Sequence, residues 1–399
     1  SSPSGCGSLV SRPAARWRRL DRGPVSLLAA GYAGPPASRA GRVRARWAQM
    51  LVEEPPPLSR SRLDAALTLP HPLGDELTEL HVHLGGSVDP AAMWGIAAKQ
   101  GIRLPTKDYW EFVDLITVGK KERKSFEEFL ALYRWTELIQ SSPLAVEESV
   151  YEVVGGAYRK ANITTLELRY NPMKRNRGGE QDLDHIIMAS IRGLDRARLE
   201  YPVRAGLIFC LDRTFTYALN EIIVEKAIAY RHRGVVGIDI AGPAHADFQY
   251  RDYAALFKKA RRAGLGLTVH AGEDEDWHSV DEVLQHLEPE RIGHGIHAAE
   301  NAALCKRLAE RGVLLEICPS SNLHTQVVSD ADELGRFIAT FKKHKVRFSF
   351  NTDGPEMLQT TLRDELRLAV RSEWLTKGEL VQCGEWAKQA SFVQRTSIA

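Results

Sequence analysis

From residue 77 onward, short apolar runs alternate with longer stretches in which apolar positions recur at helical spacing. The runs fall at 77–84, 163–170, 203–211, 235–240, 265–269, 291–296, 313–317 and 346–350. Their length and β-branched content read as buried strands, and the alternation predicts parallel β/α units. The intervening helices are punctuated. Asp89-Pro90 supplies an N-cap and a first-turn proline, with Gly101 past the end. In residues 253–262, Tyr253, Leu256, Phe257 and Ala260 share one face, and Gly264 closes the helix.

Eight such units in about 280 residues predict an α/β fold of the (β/α)8 TIM-barrel type, a doubly wound open sheet being the competing architecture. Residues 101–161 are too long for one crossover. They contain Tyr109-Trp-Glu-Phe112 and Phe126-Glu-Glu-Phe-Leu130, so extra helices are expected between strands 1 and 2, near the barrel mouth. Their aromatics either pack those helices together or form an apolar lid that excludes water.

The predicted strand ends carry side chains that a packed core does not need. Strand 1 offers His81-Val-His83, two imidazoles on one side of a strand. Strand 5 runs into His270-Ala-Gly-Glu273, strand 6 offers His294 between Gly293 and Gly295, and strand 8 leads to Asp353 in Asn351-Thr-Asp-Gly354. Each has a plain reading: a histidine at a strand end is often structural, and Asp before Gly is usually a turn residue. In a barrel, however, all four ends meet at one mouth. Imidazoles with a carboxylate and no thiolate suit zinc or a similar divalent ion with an open position. Water bound to such an ion falls from a pKa of about 15.7 to about 7. The expected ligands are His81, His83, His270 and Asp353, holding one zinc per chain. Glu273 and His294 then remain as the two proton-handling groups that a hydrolytic addition requires.

The segments His81-Val-His-Leu-Gly-Gly86, Gly237-Ile-Asp-Ile-Ala-Gly242, His270-Ala-Gly-Glu273, Arg291-Ile-Gly-His-Gly-Ile296 and Asn351-Thr-Asp353 resemble, in order, the motifs of the adenosine deaminase family within the amidohydrolase superfamily. The likeness spans residues 76–392. It implies a zinc-dependent aminohydrolase that converts a 6-aminopurine nucleoside, adenosine to inosine in type, by water addition at C6 and loss of ammonia. By resemblance Asp353 also orients the water, Glu273 protonates the neighbouring ring nitrogen, His294 helps deprotonate the water, and Gly242 meets the purine through its backbone.

Two positions depart from the family pattern. Gly85 stands where an acid usually reaches the ribose 5′-hydroxyl, and Gly354 where a second Asp usually bonds the purine. Neither touches the metal or the proton transfers. Each lost hydrogen bond to substrate costs ~0.5–1.5 kcal/mol, and Gly85 is expected to open space beside the 5′ end. The alternative substrate is therefore a 5′-modified adenosine analogue such as 6-amino-6-deoxyfutalosine.

Composition narrows the setting. Net charge is +2 over 399 residues, which gives no case for nucleic acid or an anionic membrane as the main partner. No apolar run is long enough to span a bilayer. Residues 1–74 differ, with eleven Arg and no Lys against four acids, and ten of the nineteen prolines. They are expected to be a disordered Arg/Pro-rich extension, with residues 75–399 forming the deaminase barrel. The apolar stretch at residues 25–30 is short for a targeting core. Five scattered cysteines without a C-x-x-C pair suit reduced thiols and a cytoplasmic location. The partner is a small aminopurine nucleoside, and oligomeric state is left open. Rival readings are weaker. A two-metal hydrolase of the same superfamily needs a bridging lysine that strand 4 does not offer. The P-C-x-x-C signature of cytidine-type deaminases is absent. Gly293-His-Gly-Ile-His-Ala298 is a poor dinucleotide motif. A non-catalytic binding protein would have little use for Glu273 and His294 beside a complete ligand set.

Overall fold

The computed structural model of the chain describes residues 75–119, 123–177, 179–244 and 247–395. The expected extension over residues 1–74, Cys6 included, lies outside the described residues. Eight parallel strands in sequence order form the sheet: β1 Leu77–His83, β2 Ile163–Tyr170, β3 Arg204–Asp212, β4 Val235–Ala241, β5 Gly266–Ala271, β6 Arg291–His294, β7 Leu314–Ile317 and β8 Arg347–Phe350. The sheet closes on itself. Val82 bridges Asp353, and His83 N donates to Asp353 O at 2.7 Å while Asp353 N donates to His81 O at 2.9 Å. Closure excludes the open doubly wound sheet and establishes the (β/α)8 barrel.

Four helices, α1 Pro90–Lys99, α2 Tyr109–Ile116, α3 Phe126–Ile139 and α4 Pro143–Ala161, lie between β1 and β2, the expected extra helices among them. Asp89 caps α1 through Ala91 N, and Gly101 beyond it has φ +64°. Ser125 and Glu128 form a reciprocal capping box at α3. The two aromatic clusters separate in role. In α2, Phe112 is buried against Trp94 while Trp110 is exposed. In α3, Phe126, Phe129 and Leu130 line the barrel mouth. The remaining helices are α5 Leu183–Glu200, α6 Tyr217–Tyr230, α7 Ala254–Arg262, α8 Trp277–His286, α9 Ala302–Arg311, α10 Pro319–His324, α11 Ala331–His344, α12 Leu362–Arg371, α13 Lys377–Ala390 and α14 Phe392–Arg395.

Strand limits differ from the apolar pattern where chemistry begins. β5 continues through His270 to Ala271, because His270 pairs with Gly293 of β6. β6 stops at His294 instead of residue 296, since Gly295 turns to φ +65° and opens a 3-10 segment.

The opposite end of the barrel is plugged. Phe392 packs where Gly266 has no side chain: a Cβ there would lie 2.2 Å from the ring. Glu167 Oε1 accepts from Phe392 N and Ser391 Oγ at 2.5 and 2.7 Å. The end formed by the strand C-termini holds an open cleft, in keeping with the usual placement of barrel sites. Among the described residues no helix is long and apolar enough to cross a membrane.

Candidate active site

The barrel mouth holds a cleft of about 370 Å³, and His83, His270, Glu273, His294, Asp353, Gly85 and Gly242 all line it. His81 lies directly beneath, fully buried, with its ring centroid 4.6 Å from that of His270 and 4.9 Å from that of His294. Strand ends far apart in sequence have thus been brought to one point. Donor atoms of His81, His83 and Asp353 lie within 4.8 Å of one another, as do those of His81, His270 and His294 and those of Glu273, His294 and Asp353. Gly293 makes this density possible: a Cβ there would stand 2.9 Å from His81 Cε1 and 3.2 Å from His270 Nδ1.

The imidazoles are oriented from below. His81 Nδ1 lies 2.8 Å from Glu316 Oε2, and His270 Nδ1 lies 2.9 Å from Asp239 Oδ2. Arg169 joins the two carboxylates, donating to Asp239 at 2.8 Å and to Glu316 at 2.7 Å. A ring whose Nδ1–H is held by a carboxylate turns Nε2 and its lone pair toward the cleft. Burial, followed by the positive charge of Arg169, holds His81 well below the usual imidazole range; burial and His270 do the same for His83. Burial opposes ionisation of Asp239, but His270 and Arg169 hold its carboxyl below the ordinary range. The result is a floor of ion-paired carboxylates beneath His81 and His83, whose neutral forms are favoured.

Above that floor, Glu273 and His294 have opposite biases. Burial raises the Glu273 carboxyl well above its usual range, reinforced by Asp353 and Asp274. Burial lowers His294 well below its own, with His270 and Arg169 adding to the effect. The two stand 3.4 Å apart, His294 Nε2 to Glu273 Oε1. His294 and Asp353 take left-handed backbone conformations, with φ of 58° and 63°; such positions are uncommon outside glycine and gather at functional sites.

Residues outside the expected set complete the site. Ser321 Oγ donates to Asp353 Oδ2 at 2.7 Å, and the Asn322 side-chain amide faces His294 Nδ1 at 3.0 Å. Both lie on α10, in the segment Cys318-Pro-Ser-Ser-Asn322, whose contacts the sequence did not reveal. Asp239, Glu316 and Arg169 were also missed, although each interrupts an apolar strand with a charge that a barrel must bury.

The two departing glycines behave differently from expectation. Gly85 opens no empty space, because a Cβ there would lie 2.6 Å from the Tyr133 ring of α3, which fills it. Gly354 is not part of the cleft lining. Its position reflects a close approach of backbones: a Cβ on the neighbouring Gly86 would stand 2.8 Å from Gly354 Cα. His297 faces away, paired with Glu300 at 2.9 Å.

The profile of the family described as Adenosine deaminase matches residues 77–397. The chain is 30% identical over 314 residues to the adenosine deaminase of Vibrio atlanticus (strain LGP32), covering 79% of this chain and 92% of that protein. Arabidopsis ADAL complexed with IMP has a similar structure, with a TM-score of 0.68 at 25% identity, covering 80% of this chain and 94% of that one. An amidohydrolase from Burkholderia ambifaria with bound Zn gives a TM-score of 0.71 at 22% identity over 84% of this chain and 89% of that one. The chain belongs to the adenosine deaminase family, hydrolases that act on carbon–nitrogen bonds.

Proposed function

We propose that the chain is a zinc-dependent aminohydrolase that replaces the 6-amino group of a purine nucleoside with oxygen, releasing ammonia. The observation that carries this reading is the 3.4 Å pairing of Glu273 and His294 beside the imidazole cluster. One is biased to keep its proton and the other to be without one, the division an acid and a base require.

The donor set fits a divalent cation. His81 Nε2 is buried without a hydrogen-bond partner, and the Nε2 atoms of His83 and His270 approach to 3.1 Å. In the proposed reading His81, His83, His270 and Asp353 hold the ion. When bound, such an ion supplies Lewis acidity that lowers the pKa of water. The protein groups do the rest. Asp353, aligned by Ser321, orients the attacking water. His294 Nε2 takes a proton from it, with Asn322 setting the ring's tautomer at Nδ1. Glu273 gives its proton to the ring nitrogen beside C6, so the developing negative charge is neutralised as water adds. As the tetrahedral adduct collapses, the C6–N bond breaks, and the departing amino group takes the proton held by His294 and leaves as ammonia. The adduct hydroxyl returns a proton to Glu273 as the carbonyl forms, and Gly242 meets the purine through its backbone.

Adenosine is the default substrate. A nucleoside modified at the 5′ position is the second reading, favoured by Gly85, which brings no acid to the cleft wall; the purine nucleotide held by Arabidopsis ADAL is a ligand of that general kind. Ammonia release from adenosine, adenine, nucleotides and 5′-extended analogues tests the proposal, together with metal analysis. The purified chain should hold one equivalent of zinc and lose turnover on chelation. Glu273→Gln should keep the metal and lose roughly 10²–10⁴-fold in kcat. Undiminished turnover in that variant would sink the assignment.

A further inference from the structure

The barrel wall splays at one seam beside the cleft. Near the mouth, β3 stays in register with β4 as far as Asp212 and Ala241, and β5 with β6 as far as Ala271 and His294. Between β4 and β5 the register ends lower, at Ile238 and Leu267. Above that level lie Asp239 and Gly242 on one side of the seam, His270 and Glu273 on the other. The contact of His270 Nδ1 with Asp239 at 2.9 Å joins the two sides at the level of the rings. Backbone pairing does not set their separation at the rim.

Arg213, the residue after β3, spans that gap. Its backbone N donates to Ala241 O at 3.1 Å, its Nη1 to Gly242 O at 3.2 Å and its Nη2 to His270 O at 2.6 Å. Nη2 also donates to Tyr250 Oη at 2.6 Å, and that oxygen stands 2.8 Å from His270 O. Glu275 Oε1 lies 3.6 Å from Arg213 Nη1, and its Oε2 lies 3.1 Å from Tyr250 Oη. The guanidinium is buried in the cleft wall, 5.8 and 5.3 Å from the Phe248 and Tyr250 ring centroids. Burying such a cation costs free energy that an ion pair as long as 3.6 Å offsets only in part. What the side chain alone supplies is a rigid fork that reaches carbonyls on two different strands at once.

We propose that Arg213 is a positioning residue for the deamination, clamping the ends of β4 and β5 together. The clamp sets the distance between the Gly242 backbone, which meets the purine, and the turn from His270 to Glu273, which carries a metal ligand and the proton donor. Arg213 acts through those two carbonyls, not on the reacting atoms. The proposal rests on the deaminase reading for the roles of Gly242 and Glu273.

The test measures kcat, KM and zinc content of the full chain and of Arg213→Met, Arg213→Lys and Arg213→Ala. The substrates are adenosine, adenosine 5′-monophosphate and 5′-methylthioadenosine. A misplacement of about 1 Å costs on the order of 10²-fold in rate. Arg213→Met should therefore keep its zinc and lose about 10²-fold in kcat, while KM moves less than about threefold. Arg213→Lys should recover part of the loss, since an ammonium reaches one carbonyl and not both. Guanidinium chloride well below denaturing concentration should raise kcat of Arg213→Ala about tenfold, the order of one recovered charge-assisted hydrogen bond. Sodium chloride should not. Kinetic constants within about twofold of the parent in Arg213→Met overturn the proposal. So does a loss that matches lost zinc or lost folded protein and that guanidinium does not reverse. Amide hydrogen exchange separates the clamp from the reaction: segments holding Gly242 and residues 270–273 should exchange faster in Arg213→Met. Faster exchange there, in a chain that deaminates none of the three compounds, would keep the clamp and defeat the deaminase reading. Turnover in the parent with unchanged exchange in Arg213→Met would do the reverse.

Discussion

His81 Nδ1 and Glu316 Oε2 lie 2.8 Å apart with both side chains fully buried. Glu316 also accepts from Arg169, from Arg291 Nε at 2.6 Å and from Thr268 Oγ1 at 3.1 Å. One carboxylate thus orients an imidazole buried beneath the cleft and anchors the barrel's internal ion network.

Glu316→Gln should therefore weaken metal binding without abolishing the fold. Replacing an outer partner of a ligating histidine typically costs 10–100-fold in metal affinity. Competition with a chromophoric chelator reads this directly, while circular dichroism checks folding. An affinity within twofold of the parent would show that Glu316 serves the ion network alone.

Gly86→Ala should be more harmful than Gly354→Ala, although the two glycines face each other. The first places a Cβ 2.8 Å from backbone, whereas the second meets Gly86 Cα at 3.4 Å. Gly86 O also accepts from Glu356 N and Met357 N at 3.0 Å, so displacement spreads through the loop after Asp353. A loss of ~1–3 kcal/mol in urea unfolding is expected for Gly86→Ala, with reduced kcat as Asp353 shifts. Equal stability of the two variants would contradict this.

Glu79 should make stability fall as pH rises. It is 1% exposed, and burial pushes its carboxyl up from 4.5 to about 8, against hydrogen bonds from Thr352 and His81. Between those values the folded chain keeps the proton and the unfolded chain has released it, so folding is progressively disfavoured toward pH 8. The whole effect is at most on the order of 3–5 kcal/mol. Glu79→Gln keeps an acceptor for Thr352 and removes the titration. Denaturant midpoints of the metal-free protein at pH 5.5, 7 and 8.5 should decline less steeply in the variant than in the parent; identical slopes would assign the dependence elsewhere, with Glu365, raised by burial to about 7, the next group to test.

The strand order and the gathering of chemistry at strand ends were legible in the sequence. Apolar spacing reports which segments bury a face, and eight such segments alternating with helices leave few ways to pack. His81, His83, His270, Glu273, His294 and Asp353 stood out because polar groups closing an apolar run have no packing role. Their convergence on one cleft follows from closure of the sheet, which Val82 and Asp353 complete.

What the sequence could not reveal was which distant side chains would touch. Arg169, Asp239 and Glu316 are single charges on three strands, and only the barrel's curvature sets them into one network. Gly85 read as open space because composition records a missing side chain, not the Tyr133 ring from α3 that fills it. Local patterning is written in the chain because it depends on neighbours in sequence. Contact partners, unpartnered ring atoms such as His81 Nε2 and the sign of each pKa shift depend on burial and on groups hundreds of residues away, and tertiary packing decided them.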